Sequence, residues 1–246
     1  MTAAADLGDG DNRALLARGP VALLPLGALE SHGEHLPAGT DNILAERLAL
    51  ALECAVPDLP VWRLPLVPYG QVWSLEQAPG SLGISGETLV AVLTDIARGA
   101  AAKGCVGLAV VNAHLGNAPY IREVQRRMKD RDFVVADFFY PGAGPATERL
   151  RRSPVARTGY MHACEIETSF MLHLAPEAVR MDRAVRNYPD FPPDFGILSV
   201  RWTEFTDSPV LGDATAATAD KGAEILADVV AAMATILRRI HAGRAR

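Results

Sequence analysis

The sequence predicts a three-layer α/β/α sandwich with a mostly parallel central sheet. Short apolar runs alternate along the chain with longer segments whose apolar residues recur at helical spacing. The short runs are almost continuously apolar, which is typical of strands covered by helices on both faces. The 246 residues contain no internal repeat and no low-complexity linker. We therefore expect a single domain over residues 1–246, with residues 1–18 as an N-terminal extension.

The first half of the chain supplies strands and helices in turn. Residues 21–27 are predicted to form a buried strand, and a helix is predicted to follow from Asp41, whose side chain suits an N-cap. Residues 61–67 are the next predicted strand, at a sheet edge because Pro65 has no N–H to donate. Residues 85–104 are predicted to form a helix with a serine cap at its start and a glycine at its end.

The second half continues the alternation. Residues 106–112 show the clearest pattern of a buried strand, residues 118–130 are predicted to be helical, and residues 133–139 to form a strand. A long helix rich in alanine is predicted over residues 213–244. Its apolar stripe would either pack on the sheet or serve a subunit interface.

Two segments have irregular patterns. Residues 140–159, rich in proline, glycine and arginine, are predicted to form a long loop, and residues 187–209 form a second irregular region. Long loops often cover functional sites. The arginines of the first loop would either bind an anionic substrate or remain solvated.

Charge and composition argue against several classes of function. The formal net charge is −5, which disfavours a general nucleic-acid surface. No apolar run reaches transmembrane length, and the first residues lack the pattern of a signal peptide. The three cysteines include no CxxC pair, which favours a reducing compartment. A cytoplasmic protein without nucleic-acid or membrane partners is therefore expected.

Side chains able to bind metal are concentrated after the first predicted strand. The stretch LGALESHGEHLPAGTDN contains Glu30, His32 and Asp41, and His114 follows the strand at residues 106–112. Ligands of parallel α/β sheets bind at the carboxyl ends of strands, and residues two apart in extended chain project to the same side. Carboxylates and imidazoles suit zinc, manganese or iron(II). Spacing alone leaves open a solvated loop, in which Asp41 only caps a helix.

Five segments resemble, in order, the motifs of the creatininase family of metal-dependent amidohydrolases. They are PLGALESHGEHLPAGTD, PGSLGIS, VNAHLGN, HACEIETS and VLGDATAATADKG. The resemblance implies two divalent metal ions (zinc, manganese or iron) held by Glu30, His32, a bridging Asp41, His114 and a second glutamate. Two cations sharing Asp41 would activate a water molecule for attack on a carbonyl carbon.

The resemblance leaves the last ligand to be chosen between two glutamates. Creatinine-hydrolysing members have a glutamate two residues after the second histidine, where this chain has Gly116. Other members use the glutamate of the Glu-Thr-Ser motif, which is Glu167. We expect Glu167 to bind metal, with Glu165 as the weaker alternative because a carboxylate is also favoured at a helix start. His162 resembles the family's proton-transferring histidine, and its alternative role is a loop histidine bonded to backbone.

The substrate is less constrained than the metal site. Leu115 stands where creatinine-hydrolysing members have an aromatic side chain, so creatinine itself is not expected. Packing in the core or in an interface is the alternative role of Trp73 and of Trp202, and Cys164 would be a passive small residue. The substrate-binding candidates are Trp73, Leu115, Cys164 and Glu165, with Arg157, Tyr160 and Trp202 as further pocket residues.

The expected function is hydrolysis of a C–N amide bond, such as a cyclic amide or a formamide, in a small molecule. Two alternatives stay open. One is a specialised peptidase that trims a modified small peptide, and the other is a non-catalytic homologue that binds a metal or a small molecule. The family resemblance also implies a homo-oligomer, with the hexamer as the form found among relatives.

Overall fold

The fold is described from a computed structural model that covers residues 3–129, 131 and 133–243. Its main sheet has four parallel strands in the order β2–β1–β3–β4. The strands are β1 (Val21–Leu26), β2 (Val61–Arg63), β3 (Gly107–Asn112) and β4 (Val134–Asp137). Every residue of the two central strands, β1 and β3, is buried. The predicted α/β fold with a mostly parallel sheet is confirmed.

Seven α-helices accompany the sheet within the described ranges. They are α1 (Asp9–Leu16), α2 (Thr40–Ala55), α3 (Gly86–Ala102), α4 (Ala118–Lys129), α5 (Ala143–Leu150), α6 (Glu165–Leu174) and α7 (Ala219–His241). A short antiparallel pair, β5 (Arg186–Asn187) and β6 (Gly212–Asp213), lies outside the main sheet. No helix in the described ranges is both long enough and apolar enough to span a bilayer.

Alternate side chains of β1 enter two separate apolar cores, which produces the three layers. Val21 and Leu23 pack in one core with residues of α2, α5, α6 and α7. Ala22, Leu24 and Leu26 pack in the other core with residues of α3 and α4. A continuous apolar run is therefore required, because both faces of the strand are covered.

Several predicted boundaries need correction. The second helix begins at Thr40 with Gly39 at the N-cap, so Asp41 lies in the first turn and does not cap. The predicted strand at residues 61–67 ends at Arg63, although it does lie at the edge. The last helix begins at Ala219, because Thr218 provides the cap. Residues 130 and 244, which close two predicted helices, lie outside the described residues.

The long loop predicted at residues 140–159 contains helix α5, which packs against α7. Residues 188–209 are irregular as predicted, apart from a short 3-10 turn at Trp202–Glu204, whereas Asn187 closes strand β5. The predicted N-terminal extension contains α1, and Asn12 Oδ1 there accepts a hydrogen bond from Trp62 Nε1 of the edge strand.

The apolar stripe of α7 belongs to the core. Leu226, Val229, Met233 and Leu237 are at most 3% exposed and pack with residues of the sheet and of α6. Of the two roles that the sequence left open, packing on the sheet is therefore the one the structure shows for these four side chains. An oligomer interface would have to use other residues.

Candidate metal centre

Five of the predicted site residues meet at the carboxyl end of the sheet. Glu30 and His32 follow β1, Asp41 lies in the first turn of α2, His114 follows β3, and Glu167 lies in the first turn of α6. All five are buried, with exposures from 1% to 8%. The two central strands end side by side, so segments far apart in sequence deliver their ligands to one place.

The ligand atoms form two groups of three that share one residue. One group is Glu30, Asp41 and His114, and the other is His32, Asp41 and Glu167; within each, the ligand atoms lie within 4.8 Å of one another. Asp41 Oδ2 lies 3.2 Å from His114 Nδ1, and Asp41 Oδ1 lies 3.3 Å from His32 Nε2. One carboxylate thus offers one oxygen to each group, which is the arrangement of a bridging ligand.

Backbone carbonyl oxygens orient the two histidine rings. His32 Nδ1 donates to the carbonyl oxygen of Glu30 at 3.0 Å, and His114 Nε2 donates to that of Gln71 at 2.8 Å. A carbonyl oxygen can only accept, so the proton of each neutral ring sits on the nitrogen that faces it. The other nitrogen of each ring faces the carboxylates and is free to bind a cation.

The residues present fit divalent cations. His32 Nε2 and Asp41 Oδ2 are buried and have no hydrogen-bond partner within the described part of the chain. Buried polar atoms are normally paired, because leaving them without a partner is costly. Each group offers one imidazole and two carboxylates, a donor set that zinc and manganese accept.

The electrostatics of the carboxylates also favour the binding of cations at this site. Burial is the largest effect on Glu167, and together with the charges of Asp41 and Glu30 it raises the pKa of this carboxyl to about 7, against the opposing effect of His32. Three carboxylates therefore crowd one buried site, and bound cations would relieve their repulsion.

His162 lies beside the two ligand groups. Its Nε2 donates to the carbonyl oxygen of Ser31 at 2.8 Å, and its Nδ1 lies 3.6 Å from Glu30 Oε2. The ring centroid is 4.2 Å from that of His32, and His162 also forms a possible ligand group with Glu30 and His32. Burial, and then the charge of His32, lower the pKa of His162 to about 4, which favours a neutral ring.

A cavity of about 330 Å³ opens onto the ligand groups. Besides the ligands and His162, its wall combines apolar and aromatic side chains with a few polar groups: Gln71, Val72, Ser74, Ala113, Leu115, Gly116, Phe139, Gly159, Tyr160, Met161 and Trp202. Leu115, a predicted substrate-binding residue, is on this wall. The described lining contains no lysine or arginine.

The other three predicted substrate-binding residues lie outside this lining. Trp73 carries the guanidinium of Arg201 over its ring, at 4.8 Å from the centroid. Cys164 is buried at the start of α6, and burial raises the pKa of its thiol. Glu165 is also turned away, so the structure corrects these three placements and leaves Leu115 at the cavity.

Glu165 binds the loop that precedes His162. Its carboxylate accepts hydrogen bonds from the backbone N–H of Arg152 and of Ser153 and forms a buried ion pair with Lys221 of α7. These partners hold the Glu165 side chain away from the cavity, whereas Glu167 lines it.

The sequence left Trp202 between a pocket role and a core or interface role, and the structure places this side chain on the cavity wall. Its ring meets that of His162 edge-on at 5.3 Å, and the far side packs with Leu75, Phe195 and Leu211. No periodic pattern in the irregular region could have shown this. Phe139 was also missed, although its place just after β4, at the same sheet end, was a usable signal.

The arginines of the predicted loop do not line the cavity. Arg157 stacks over the rings of Phe191 and Phe195, at 5.1 Å from each centroid, and donates to the carbonyl oxygen of Phe195. Arg149 forms an ion pair with Glu224 at 2.5 Å. In these two cases the structure favours a packing or surface role over binding of an anionic substrate.

Comparison with known proteins decides the family. The family model described as creatininase, creatinine amidohydrolase, matches residues 6–237. The chain belongs to the creatininase family. It is 30% identical, over 92% of its length and 87% of the relative's, to the mycofactocin precursor peptide peptidase of Mycobacterium tuberculosis (strain ATCC 25618 / H37Rv). It is 28% identical, over 89% and 88%, to the creatinine amidohydrolase of Pseudomonas putida.

Solved structures agree with the family assignment. A crystal structure of creatinine amidohydrolase (creatininase) matches with a TM-score of 0.83 and 27% identity, covering 96% of both chains. Other similar creatininase structures are named as a manganese form and as a zinc–zinc form. The resemblance drawn from the five sequence motifs is thereby confirmed, and metal binding is a property of the named structures in this family.

Proposed function

We propose that this protein is a dinuclear metal-dependent amidohydrolase that cleaves a C–N amide bond of a small molecule. The observation that carries the proposal is the position of Asp41, whose two carboxylate oxygens face two separate ligand groups. Glu30, Asp41 and His114 would hold one cation, and His32, Asp41 and Glu167 would hold the other. Bound there, divalent cations supply Lewis acidity, which polarises a carbonyl oxygen and lowers the pKa of water.

The chain's own residues account for the movement of the proton. His162 faces the site through Nδ1, because Nε2 is held by the carbonyl oxygen of Ser31. Hydrolysis adds the oxygen of water to the carbonyl carbon and requires a proton on the departing nitrogen. His162 Nδ1 takes the proton from the attacking water and delivers it to that nitrogen, so the C–N bond breaks without formation of an amide anion.

The cavity suits a compact substrate with a flat polar group. Its volume of about 330 Å³ is near the lower end of the range typical of small-molecule sites. Phe139, Tyr160 and Trp202 supply aromatic surface, while Gln71 and Ser74 supply polar groups. These walls would also shield the reacting carbonyl from bulk water, which strengthens the electrostatic interactions inside the cavity.

A modified small peptide is the second candidate substrate. It is favoured by the relatives at 29–30% identity that are named mycofactocin precursor peptide peptidases.

Gly116 argues against creatinine as the substrate. A Cβ at this position would collide with His114 Nε2 and lie 2.6 Å from the carbonyl oxygen of Gln71, so the backbone here leaves no room for a glutamate.

The proposal is tested with metal-loaded protein and a panel of formamides, lactams, cyclic amides and short peptides. We expect close to two ions per chain and turnover of at least one small amide. Asp41→Asn should lower the metal content and abolish turnover, whereas the exposed Asp95→Asn on α3 should change neither. Turnover of peptides alone would favour the second candidate. Two bound ions without turnover on the whole panel would contradict the proposal and favour a binding protein.

A further inference from the structure

Two non-glycine residues in the described ranges have positive φ angles, and both lie near Glu167. Tyr140, three residues beyond the end of β4, has φ 45°, and Ala163, next to His162, has φ 49°. Side chains with a Cβ avoid this region, and such residues persist only where their surroundings hold them. The N–H of Ala163 donates to Glu167 Oε2, so one of the two unusual conformations has an evident purpose. The carbonyl oxygen of Tyr140 accepts a hydrogen bond from the N–H of Ala143 at 3.3 Å, and the same backbone conformation fixes where the Tyr140 side chain starts.

The Tyr140 ring is fixed against the helix that carries Glu167. The side chain is 7% exposed, and its ring lies 5.1 Å from that of Phe170, which follows Glu167 by three residues on α6. Residues three apart share a helix face, so the tyrosine lies on the side of α6 from which the carboxylate projects. The neighbouring Phe139 lines the cavity, whereas Tyr140 is not part of its lining.

The Tyr140 hydroxyl is buried and has no hydrogen-bond partner within the described residues. A buried hydroxyl left without a partner destabilises the folded state, so the position would favour phenylalanine if packing alone mattered. Burial, followed by the charges of Glu167 and Asp41, raises the pKa of Tyr140 well above its usual value. The phenol therefore keeps its proton and can act as a hydrogen-bond donor.

We propose that Tyr140 is a positioning residue whose hydroxyl donates a hydrogen bond to the Glu167 carboxylate when His32, Asp41 and Glu167 hold a cation. Together with the N–H of Ala163, it would fix the orientation of the Glu167 carboxylate. Partners of this kind set the geometry of metal ligands without touching the metal. The inference rests on the proposed metal site, but it concerns one of the two ligand groups only.

The test compares Tyr140→Phe with Tyr120→Phe, a half-buried tyrosine on α4 that lies in the other core. The two dissociation constants for Zn²⁺ are measured by competition with a chromophoric chelator, and the absorption spectrum is recorded for the Co²⁺-substituted protein. Tyr140→Phe should weaken one of the two constants about 10- to 100-fold and alter the cobalt spectrum. Tyr120→Phe should leave both readouts unchanged. The thermal midpoint of metal-free Tyr140→Phe should equal or exceed that of the wild type.

A second comparison distinguishes loss of the proposed hydrogen bond from a folding defect. In a Glu167→Gln background, Tyr140→Phe should cause no further loss of Zn²⁺ affinity, because the charged acceptor is already gone. Unchanged Zn²⁺ constants in Tyr140→Phe would overturn the inference, as would an equal loss in both backgrounds. Failure of the proposed function is seen separately, since the wild type would then bind no metal or turn over no substrate.

Discussion

His162 and Ser31 are joined by a hydrogen bond of 2.8 Å from the ring Nε2 to the backbone carbonyl oxygen. The acceptor belongs to the same loop as Glu30 and His32, so the loop that carries two of the proposed ligands also orients the histidine ring. Because Nε2 is occupied, only Nδ1 can serve as a base toward the cavity, and it lies 3.6 Å from Glu30 Oε2. The predicted role in proton transfer and a role as a further ligand are separable by experiment.

Replacing His162 by glutamine should remove the proposed proton-transfer group and leave the five proposed ligands in place. We expect kcat to fall about 100- to 10,000-fold, the usual contribution of general acid–base catalysis. Metal content, measured by elemental analysis of the dialysed protein, should not change. His173→Gln, an exposed histidine on α6, is the matched control and should behave as the wild type. Loss of metal from His162→Gln would instead show that His162 binds a cation.

Gly116 allows His114 to reach the carbonyl oxygen of Gln71, because any Cβ would intrude on that hydrogen bond. Gly116→Ala should therefore turn the His114 ring, weaken metal binding about 10-fold or more and lower activity. Affinity for Zn²⁺ and turnover are the measurements. Gly99→Ala in α3, where a Cβ meets nothing within 4 Å, should be neutral or stabilise the protein by about 0.5–1 kcal/mol. Full Zn²⁺ affinity in Gly116→Ala would show that the bond to Gln71 is dispensable.

Loading of the metal-free protein should release protons. Burial opposes the charge on His32, but Asp41 and Glu167 raise the pKa of its ring to about 10, so His32 is protonated at pH 8 when no cation is bound. A cation can bind His32 Nε2 only after this proton leaves. Calorimetric titration with Zn²⁺ at pH 8, in buffers of different ionisation enthalpy, should show net proton release. Heats that are independent of the buffer would contradict the predicted state of His32.

The sequence indicated which candidate ligands meet better than it indicated the cavity wall, for a physical reason. Glu30, His32 and His114 follow the two central strands, so the strand ends together with the family resemblance were enough to bring them to one place. Trp202 reaches the cavity from an irregular segment whose course depends on packing with Leu75 and other residues far away in sequence. No local pattern encodes such contacts.

In the fold, too, the elements with a local sequence pattern were predicted and those that depend on distant contacts were not. Strands and long helices were predicted because burial on one or both faces leaves a periodic signal. Helix α5 was missed because Gly142, Gly144 and Pro145 give its sequence the composition of a loop, while its stability comes from packing on α7. Glu165 could not be separated from Glu167 by spacing, since its decisive partner, Lys221, is 56 residues away.

Removing the Glu165 carboxylate should destabilise the protein without emptying the metal site. Glu165→Ala leaves Lys221, whose side chain is 13% exposed, without its partner, and deprives the N–H groups of Arg152 and Ser153 of an acceptor. Loss of one member of a buried ion pair costs about 3–5 kcal/mol. Urea denaturation should show a decrease of this size, and the exposed Glu148→Ala on α5 should show little change. Loss of Zn²⁺ binding from folded Glu165→Ala would argue that Glu165 serves the metal site after all.

The same pair gives the protein a defined pH dependence. Burial opposes ionisation of Glu165, but Lys221 and the N–H groups of Ser153 and Arg152 outweigh it and lower the pKa of the carboxyl. A group with a lowered folded-state pKa stabilises the protein above its unfolded pKa, about 4.3 for glutamate. This stabilisation is lost as the pH falls through the folded-state pKa. The difference in unfolding free energy between the wild type and Glu165→Ala should therefore be constant above pH 6 and shrink progressively below pH 4. A difference that stays constant down to pH 3 would mean that the carboxyl is not ionised in the folded protein.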